Sequence, residues 1–215
     1  MRIRPICSFL ICAAIGLVLA GNDTAQATVT QRPGKSRSTR AVLSAADQAF
    51  LEDLSRRSFR YFQEQTDPHT GLVRDRARTD GSPHGEQQQK IASIAATGFG
   101  LTAWCVAAER GWISRPQARE RVLATLRFFA DRQEHKEGWF YHFVNAGTGE
   151  REWKSEVSSI DTSLLLGGVL TARGYFHSDQ EIVRLATKIY ERVDFPWMLD
   201  GHPTLLSMGW RPESG

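Results

Sequence analysis

The chain has 215 residues, 41% of them hydrophobic and 24% charged, with a formal net charge of +3. This is ordinary globular composition: it excludes a wholly disordered or fibrous chain, and the length permits one or two domains. So small a net charge gives no basis for a nucleic-acid surface, while six tryptophans and eleven phenylalanines are a generous supply for a core, or for a site that stacks on flat ligand faces.

Arg2 and Arg4 precede an apolar run from Ile6 to Ala20. The pair matches the n-region and h-region of a signal peptide. Ala25-Gln26-Ala27 fits the small-x-small cleavage rule, so residues 1–27 are expected to leave, with Thr28 as the mature N-terminus. An uncleaved anchor is the runner-up, but about 15 apolar residues fall short of the roughly 20 that a spanning helix needs. Asn22 stands where a lipoprotein would carry its acylated cysteine, and no Arg-Arg pair suggests a twin-arginine signal. The expected location is periplasmic or secreted, with no stable membrane insertion after cleavage. Cys7 and Cys12 leave with the signal, so Cys105 alone remains; it reads as a buried structural thiol. Residues 28–43 carry Arg32, Lys35, Arg37 and Arg40 and no acid, a basic linker ahead of a domain spanning 44–215.

The first predicted helix runs from Ser44 to about Gln65. Ser44-x-x-Asp47 fits a capping box, and Phe50, Leu51, Leu54, Tyr61 and Phe62 fall on one stripe. Residues 66–90 are rich in Gly, Pro and Asp and read as a long loop, of a kind compact domains seldom keep unless they use it. Ile91–Arg110 is apolar nearly all round, which marks a helix buried on every side. Ser114 to about Arg132 is amphipathic, with Ser114 as cap and Pro116 in the first turn. Gly138–Trp153 reads as an aromatic hairpin turning at Gly147–Gly149. Ser158 to about Phe176 is again apolar nearly all round, and Asp179 to about Val193 is amphipathic.

The order is therefore surface, buried, surface, buried, surface. Arg110-Gly111-Trp112 recurs as Arg173-Gly174-Tyr175, and Leu123-Ala124-Thr125 as Leu185-Ala186-Thr187, a period of about 62 to 63 residues. One buried and one surface helix per repeat is what an α/α toroid requires. The predicted fold is all-α, the N-terminal part of a six-hairpin α/α toroid with one aromatic hairpin inserted. Five helices against the twelve of a closed ring lead us to expect a domain incomplete at its C-terminus.

In such a ring, the loops entering the inner helices share one mouth. The 66–90 loop, the 138–153 hairpin with Glu156, and the stretch Met208-Gly209-Trp210-Arg211-Pro212-Glu213 all open there. That makes Asp161, Glu156 and Glu213 candidate catalytic acids. Two carboxylates suffice for glycoside hydrolysis, one giving a proton to the leaving oxygen and the other activating water or attacking. Trp139, Phe140, Tyr141, Trp153 and Trp210 are candidates for an aromatic wall that stacks on sugars, with His142 lining the site or filling a gap. Each has a plainer reading too. Asp161, three residues after Ser158, also fits a capping box; Glu156 fits a solvated loop charge; the aromatics fit a cover over the core. No Cys cluster, His-x-x-x-His, phosphate loop or nucleophile elbow occurs, so no metal or cofactor is expected.

The motifs Thr70–Arg76, Ser93–Trp104, Phe140–Asn145, Glu156–Leu170 and Met208–Gly215 are collinear over about residues 47–215. In them the chain resembles the glycoamylase-like domain proteins, a bacterial group that includes endo-β-1,2-glucanases and a domain of cyclic β-1,2-glucan synthases. The resemblance implies an α/α toroid with an acid-lined cleft. It implies a glucan hydrolase with Asp161, Glu156 and Glu213 among the candidate acids, and Arg74 and Asp75 as substrate-cleft residues. The family motif around Gly209–Glu213 normally continues into further toroid helices. From all this we expect a two-carboxylate glycoside hydrolase, inverting rather than retaining, acting on an oligo- or polysaccharide, a β-glucan with β-1,2 linkages. The alternative is a non-catalytic carbohydrate-binding toroid or an inactive fragment. A uronate lyase with Tyr141 and His142 as its base pair is a third class.

Overall fold

A computed structural model describes residues 43–214. The signal-peptide reading and nearly all of the linker reading lie outside these residues. Six helices dominate: α1 (Ala45–Gln65), the single turn α2 (Glu86–Gln89), α3 (Ile94–Glu109), α4 (Arg115–Asp131), α5 (Ser159–Tyr175) and α6 (Gln180–Glu191). Short strands lie between them: β1 (Ile91–Ser93), β2 (His135–Lys136), β3 (Trp139–Phe140), β4 (Phe143–Asn145), β5 (Val157–Ser158) and, near the C-terminus, β6 (Gly209–Trp210).

Polar side chains start the helices where the sequence places them. Ser44 and Ser114 form complete capping boxes with Asp47 and Gln117, and Asp179 accepts the Glu181 and Ile182 N–H groups at 3.1 and 3.2 Å. Each such cap satisfies backbone donors that the first turn leaves free. The two apolar helices, α3 and α5, pack against each other as the inner pair; α4 and α6 lie outside them and turn their polar faces to solvent. Leu101, Leu165 and Val169 are buried on the inner helices, and Trp104 of α3 is buried edge-on against Phe59 of α1; Leu123, Leu126, Ile182 and Ile189 bury the apolar stripes of the outer helices. Outer helices are also joined by charge, Arg119 to Asp179 at 2.5 Å and Arg127 to Glu181 at 2.7 Å. Cys105 is a buried free thiol whose burial pushes its pKa up to about 12, as expected for a structural residue.

Three expectations need correction. The predicted helix over Ile91–Arg110 begins three residues later, because Ile91–Ser93 pairs with β4 and Ser93 becomes the cap. The stripe of α1 is only partly buried. Phe59 is covered, but Phe50, Leu51 and Leu54 are 65%, 43% and 48% exposed, and Leu54 borders an open apolar groove with Phe99 and Val106 of α3. The aromatic hairpin is shorter than 138–153: Val144 bridges Arg151 around the Asn145–Glu150 turn, while β3 pairs with β2 instead. The 66–90 loop is tied down at both ends, with Thr66 bridged to Val73 and Arg74 to Ala92.

These short pairings form one continuous seam. Arg74 bridges Ala92; β1 pairs with β4; Tyr141 bridges Val157; β5 pairs with β6. The seam runs across the N-terminal ends of α3 and α5. It draws the 66–90 loop, the hairpin and the Met208–Glu213 stretch to the same side of the helix pair, as an α/α ring demands of its inner loops.

Candidate active site

His142 sits where the seam passes from the hairpin to β5. Its N–H donates to the Glu156 carbonyl at 2.9 Å, and its own carbonyl accepts the Ile94 N–H at 3.3 Å. The ring of Phe143 stacks on its imidazole, centroids 3.7 Å apart and planes 18° from parallel. So fixed, the imidazole lies between two carboxylates, with Nδ1 3.2 Å from Glu156 Oε1 and Nε2 3.3 Å from Asp161 Oδ1. Arg211, just past β6, donates to the other Glu156 oxygen at 3.0 Å. The four side chains form a chain Asp161–His142–Glu156–Arg211 drawn from three separate segments.

Asp161 stands in the first turn of α5, where an acid is favoured by the helix dipole. The expected capping box is half formed. Ser158 Oγ accepts the Asp161 N–H at 3.2 Å and donates to Asp161 Oδ2 at 2.5 Å. At α1 and α4 the acid or amide at the third position also accepts from the cap residue's own N–H; at α5 the Ser158 backbone belongs to the pairing with Gly209, and Asp161 Oδ1 turns to His142 instead. Capping accounts for one carboxylate oxygen of Asp161 and leaves the other to the site.

Burial pushes the Glu156 carboxyl up, but a backbone bond, the His142 bond and the nearby Arg211 charge outweigh it and hold the group below the usual carboxylate range. Glu213 is gripped by Arg151, whose Nη1 and Nη2 donate to its two oxygens at 2.7 and 3.1 Å. That grip is the main cause holding its carboxyl below the usual range. Arg151 is itself held by the Ser155 and Lys154 carbonyls at 2.6 and 2.8 Å and lies over the Tyr141 ring at 4.8 Å. Burial raises the Tyr141 phenol above its ordinary value.

The other predicted site residues fall in three places. Trp210 is half-buried beside Trp197, centroids 5.9 Å apart, with Lys136 Nζ over both rings at 5.8 and 5.9 Å. Trp139 is a core residue, fully buried, its Nε1 donating to the Asp194 carbonyl at 2.7 Å; it has no face to offer a sugar. Arg74 and Asp75 lie at the far end of the seam, apart from the acid chain. Arg74 Nε donates to the Gln89 carbonyl at 2.9 Å, and its carbonyl accepts the Tyr61 hydroxyl at 2.5 Å. That phenol is pushed up to about 12, chiefly by burial. Asp75 pairs with Arg76 at 2.5 Å. Sequence reasoning read Ser158 as a cap and passed over Arg151, Arg211 and Phe143. Arg211, lying between Trp210 and Glu213, was within reach; Arg151 was not, because only the turn brings it back across Val144. Among the described residues no cluster of three or more His, Cys, Asp or Glu is placed to hold a metal ion.

No family model matches the chain. The exo-β-1,2-glucooligosaccharide sophorohydrolase (non-reducing end) of Parabacteroides distasonis is 26% identical over 162 residues, 70% of this chain and 21% of that protein. An endo-β-1,2-glucanase from Chitinophaga pinensis, solved with sophorotriose and glucose, superposes with a TM-score of 0.68 at 27% identity, over 80% of this chain and 42% of that one. A β-1,2-glucanase from Parabacteroides distasonis superposes at 0.66 and 25% identity, over 79% and 24%. The chain spans less than half the length of each of these relatives. Helix order, seam and superposition define the glycoamylase-like α/α toroid fold over the part described. The homologues named here are endo- and exo-acting β-1,2-glucanases.

Proposed function

We propose that the protein is an exported glycoside hydrolase acting on β-1,2-linked glucan, with Asp161 and Glu213 as its carboxylate pair. Export rests on the N-terminal sequence, and the linkage rests on the named relatives. The observation that carries the catalytic reading is the convergence of Asp161, His142, Glu156 and Arg211 from three segments on one seam. His142 fills the gap between Glu156 and Asp161, so these two do not face each other across a water. The opposing carboxylate comes from another segment, and Glu213 is the candidate there. Held ionised by Arg151, it suits the base. In an inverting reaction the acid's O–H bond breaks toward the leaving oxygen, which keeps the C–O bond pair. Water adds its hydroxyl to the anomeric carbon and yields its other proton to the base.

Assaying the protein on linear β-1,2-glucan with Asp161→Asn and Glu213→Gln tests this. Each variant is expected to lose roughly 10²–10⁴-fold in turnover; wild-type turnover in both sinks the assignment. One observation favours a second reading, a carbohydrate-binding toroid without catalysis: two of the three acids are already occupied by arginines, Glu213 by Arg151 and Glu156 by Arg211. Calorimetric binding of β-1,2-glucan with no product formed selects it.

A further inference from the structure

We infer that Trp153 is a saccharide-stacking residue, its indole presented by a strained turn that is tied to both Phe143 and Glu213. The inference deepens the hydrolase reading and rests on its substrate class, a glucan. Trp139, Phe140 and Tyr141 are core residues, and the remaining tryptophans are buried or half-buried; Trp153 alone of the six is exposed, at 48%. Its backbone is equally unusual. The Glu152 carbonyl accepts the Ser155 N–H at 3.0 Å, and both residues between them have positive φ, +54° at Trp153 and +50° at Lys154. Turns with positive φ at both central positions favour Asn, Asp and Gly. Elsewhere the chain supplies a glycine: Glu137 at +50° is followed by Gly138, and Asp200 at +47° by Gly201. At 153–154 it sets an indole and a lysine where a β-carbon crowds the following carbonyl. Such strain persists only where the surroundings over-determine it, and it gathers at active sites and ligand clamps.

The surroundings hold the turn from two sides. Toward the acid chain, the Phe143 carbonyl accepts the Glu152 N–H and the Ser155 hydroxyl, both at 3.0 Å, and the Phe143 N–H donates to Ser155 Oγ at 3.2 Å. These bonds set the indole edge-on to the Phe143 ring, centroids 5.0 Å apart, and the same ring stacks on the His142 imidazole. Toward Glu213, one guanidinium does the holding: Arg151 donates to the Lys154 and Ser155 carbonyls and to both Glu213 oxygens. Trp153 is thus one ring away from the imidazole beside Asp161 and one arginine away from Glu213, the two carboxylates of the proposed pair. An indole left half in water offsets little of the turn's strain by burial. A pyranose ring supplies the missing cover, because it offers an apolar face of C–H groups to a flat aromatic and keeps its hydroxyls at the rim.

Calorimetric titration of the full chain with linear β-1,2-glucan tests this, with product analysis and thermal melts on the same samples. Trp153→Ala is expected to weaken binding roughly tenfold or more, the scale of one lost stacking ring, while Trp153→Phe keeps most of it. Trp153→Gly separates stacking from strain. Glycine accepts positive φ, so this variant is expected to bind as weakly as Trp153→Ala but to melt at a higher temperature. If Trp153→Ala fails to fold, Trp153→Gly carries the binding test. Wild-type affinity in Trp153→Ala or Trp153→Gly overturns the inference, and so does a wild type that binds no glucan. A Trp153→Gly melt no higher than that of Trp153→Ala overturns the strained presentation. Unchanged binding in the variants, with product still formed, faults the stacking role and leaves the hydrolase reading standing. Weakened binding in the variants, with no product from the wild type, upholds the stacking role and faults the hydrolase reading instead.

Discussion

Gly98 and Gly168 meet backbone to backbone where α3 crosses α5. A Cβ on Gly168 would stand 2.7 Å from Gly98 Cα, and one on Gly98 would stand 2.6 Å from Leu165 Cα. These are contacts with main chain, which cannot swing aside. Gly168→Ala is therefore expected to cost about 3 kcal/mol, the upper range for overpacking a well-filled core. Gly167, one residue earlier, meets nothing within 4 Å. Gly167→Ala is expected to gain roughly 0.5–1 kcal/mol from reduced backbone freedom. Thermal melts of the two variants should move in opposite directions.

Trp139 and Trp210 separate burial from substrate contact. Trp139→Phe deletes a buried indole N–H and strands the Asp194 carbonyl. The expected cost is about 1–3 kcal/mol of stability, with glucan binding unchanged. Trp210→Ala is expected to weaken binding of β-1,2-glucan in calorimetry with a smaller change in melting.

Asp179 is expected to give α6 a pH-dependent anchor. The Arg119 bond, then the Glu181 and Ile182 N–H groups, hold its carboxyl below the usual range. A depressed folded-state value means that the contribution is complete above the unfolded value, about 3.9, and is lost as pH falls through the lower folded value. Asp179→Ala should cost about 1 kcal/mol at neutral pH, typical of a lost cap. Repeating the denaturant titration at falling pH should show the gap between variant and wild type closing below about pH 4.

Arg151→Lys probes the grip on Glu213. A lysine cannot serve the Ser155 and Lys154 carbonyls and both Glu213 oxygens together, because it offers a point charge rather than a planar fork. The expected result is a tenfold or greater loss of turnover on β-1,2-glucan with the charge retained. Equal turnover would detach Arg151 from the site.

Much of the fold was legible because its signals are local. Ser44, Ser114 and Asp179 cap as their side chains dictate, and the apolar rounds of α3 and α5 reflect burial on every side. What the residues could not announce depends on long-range pairing. Ile91–Ser93 has the composition of the helix that follows it and becomes a strand only because β4 lies alongside. Trp139 looked like a platform because aromatics in a short run look alike; its partner Asp194 lies 55 positions away. For the site, Asp161 and Glu156 were legible as acids at a helix mouth and His142 as a lining candidate, but the place of its imidazole between the two acids was not. His142 reaches both only after the hairpin and β5 have paired.

The last link of the seam is also its thinnest. β6 is held by the two-residue pairing with β5 and by the Ser159 N–H and hydroxyl on the Met208 carbonyl, at 3.2 and 3.1 Å, while Leu205 and Met208 beside it are 64% and 74% exposed. So few bonds place this segment at the low end of the chain's opening energies. Its amides should exchange with solvent long before those of α3 and α5. Each such opening removes Arg211 from Glu156 and Glu213 from Arg151 in one event, so the segment unlatches both acids while the helices beneath stay folded.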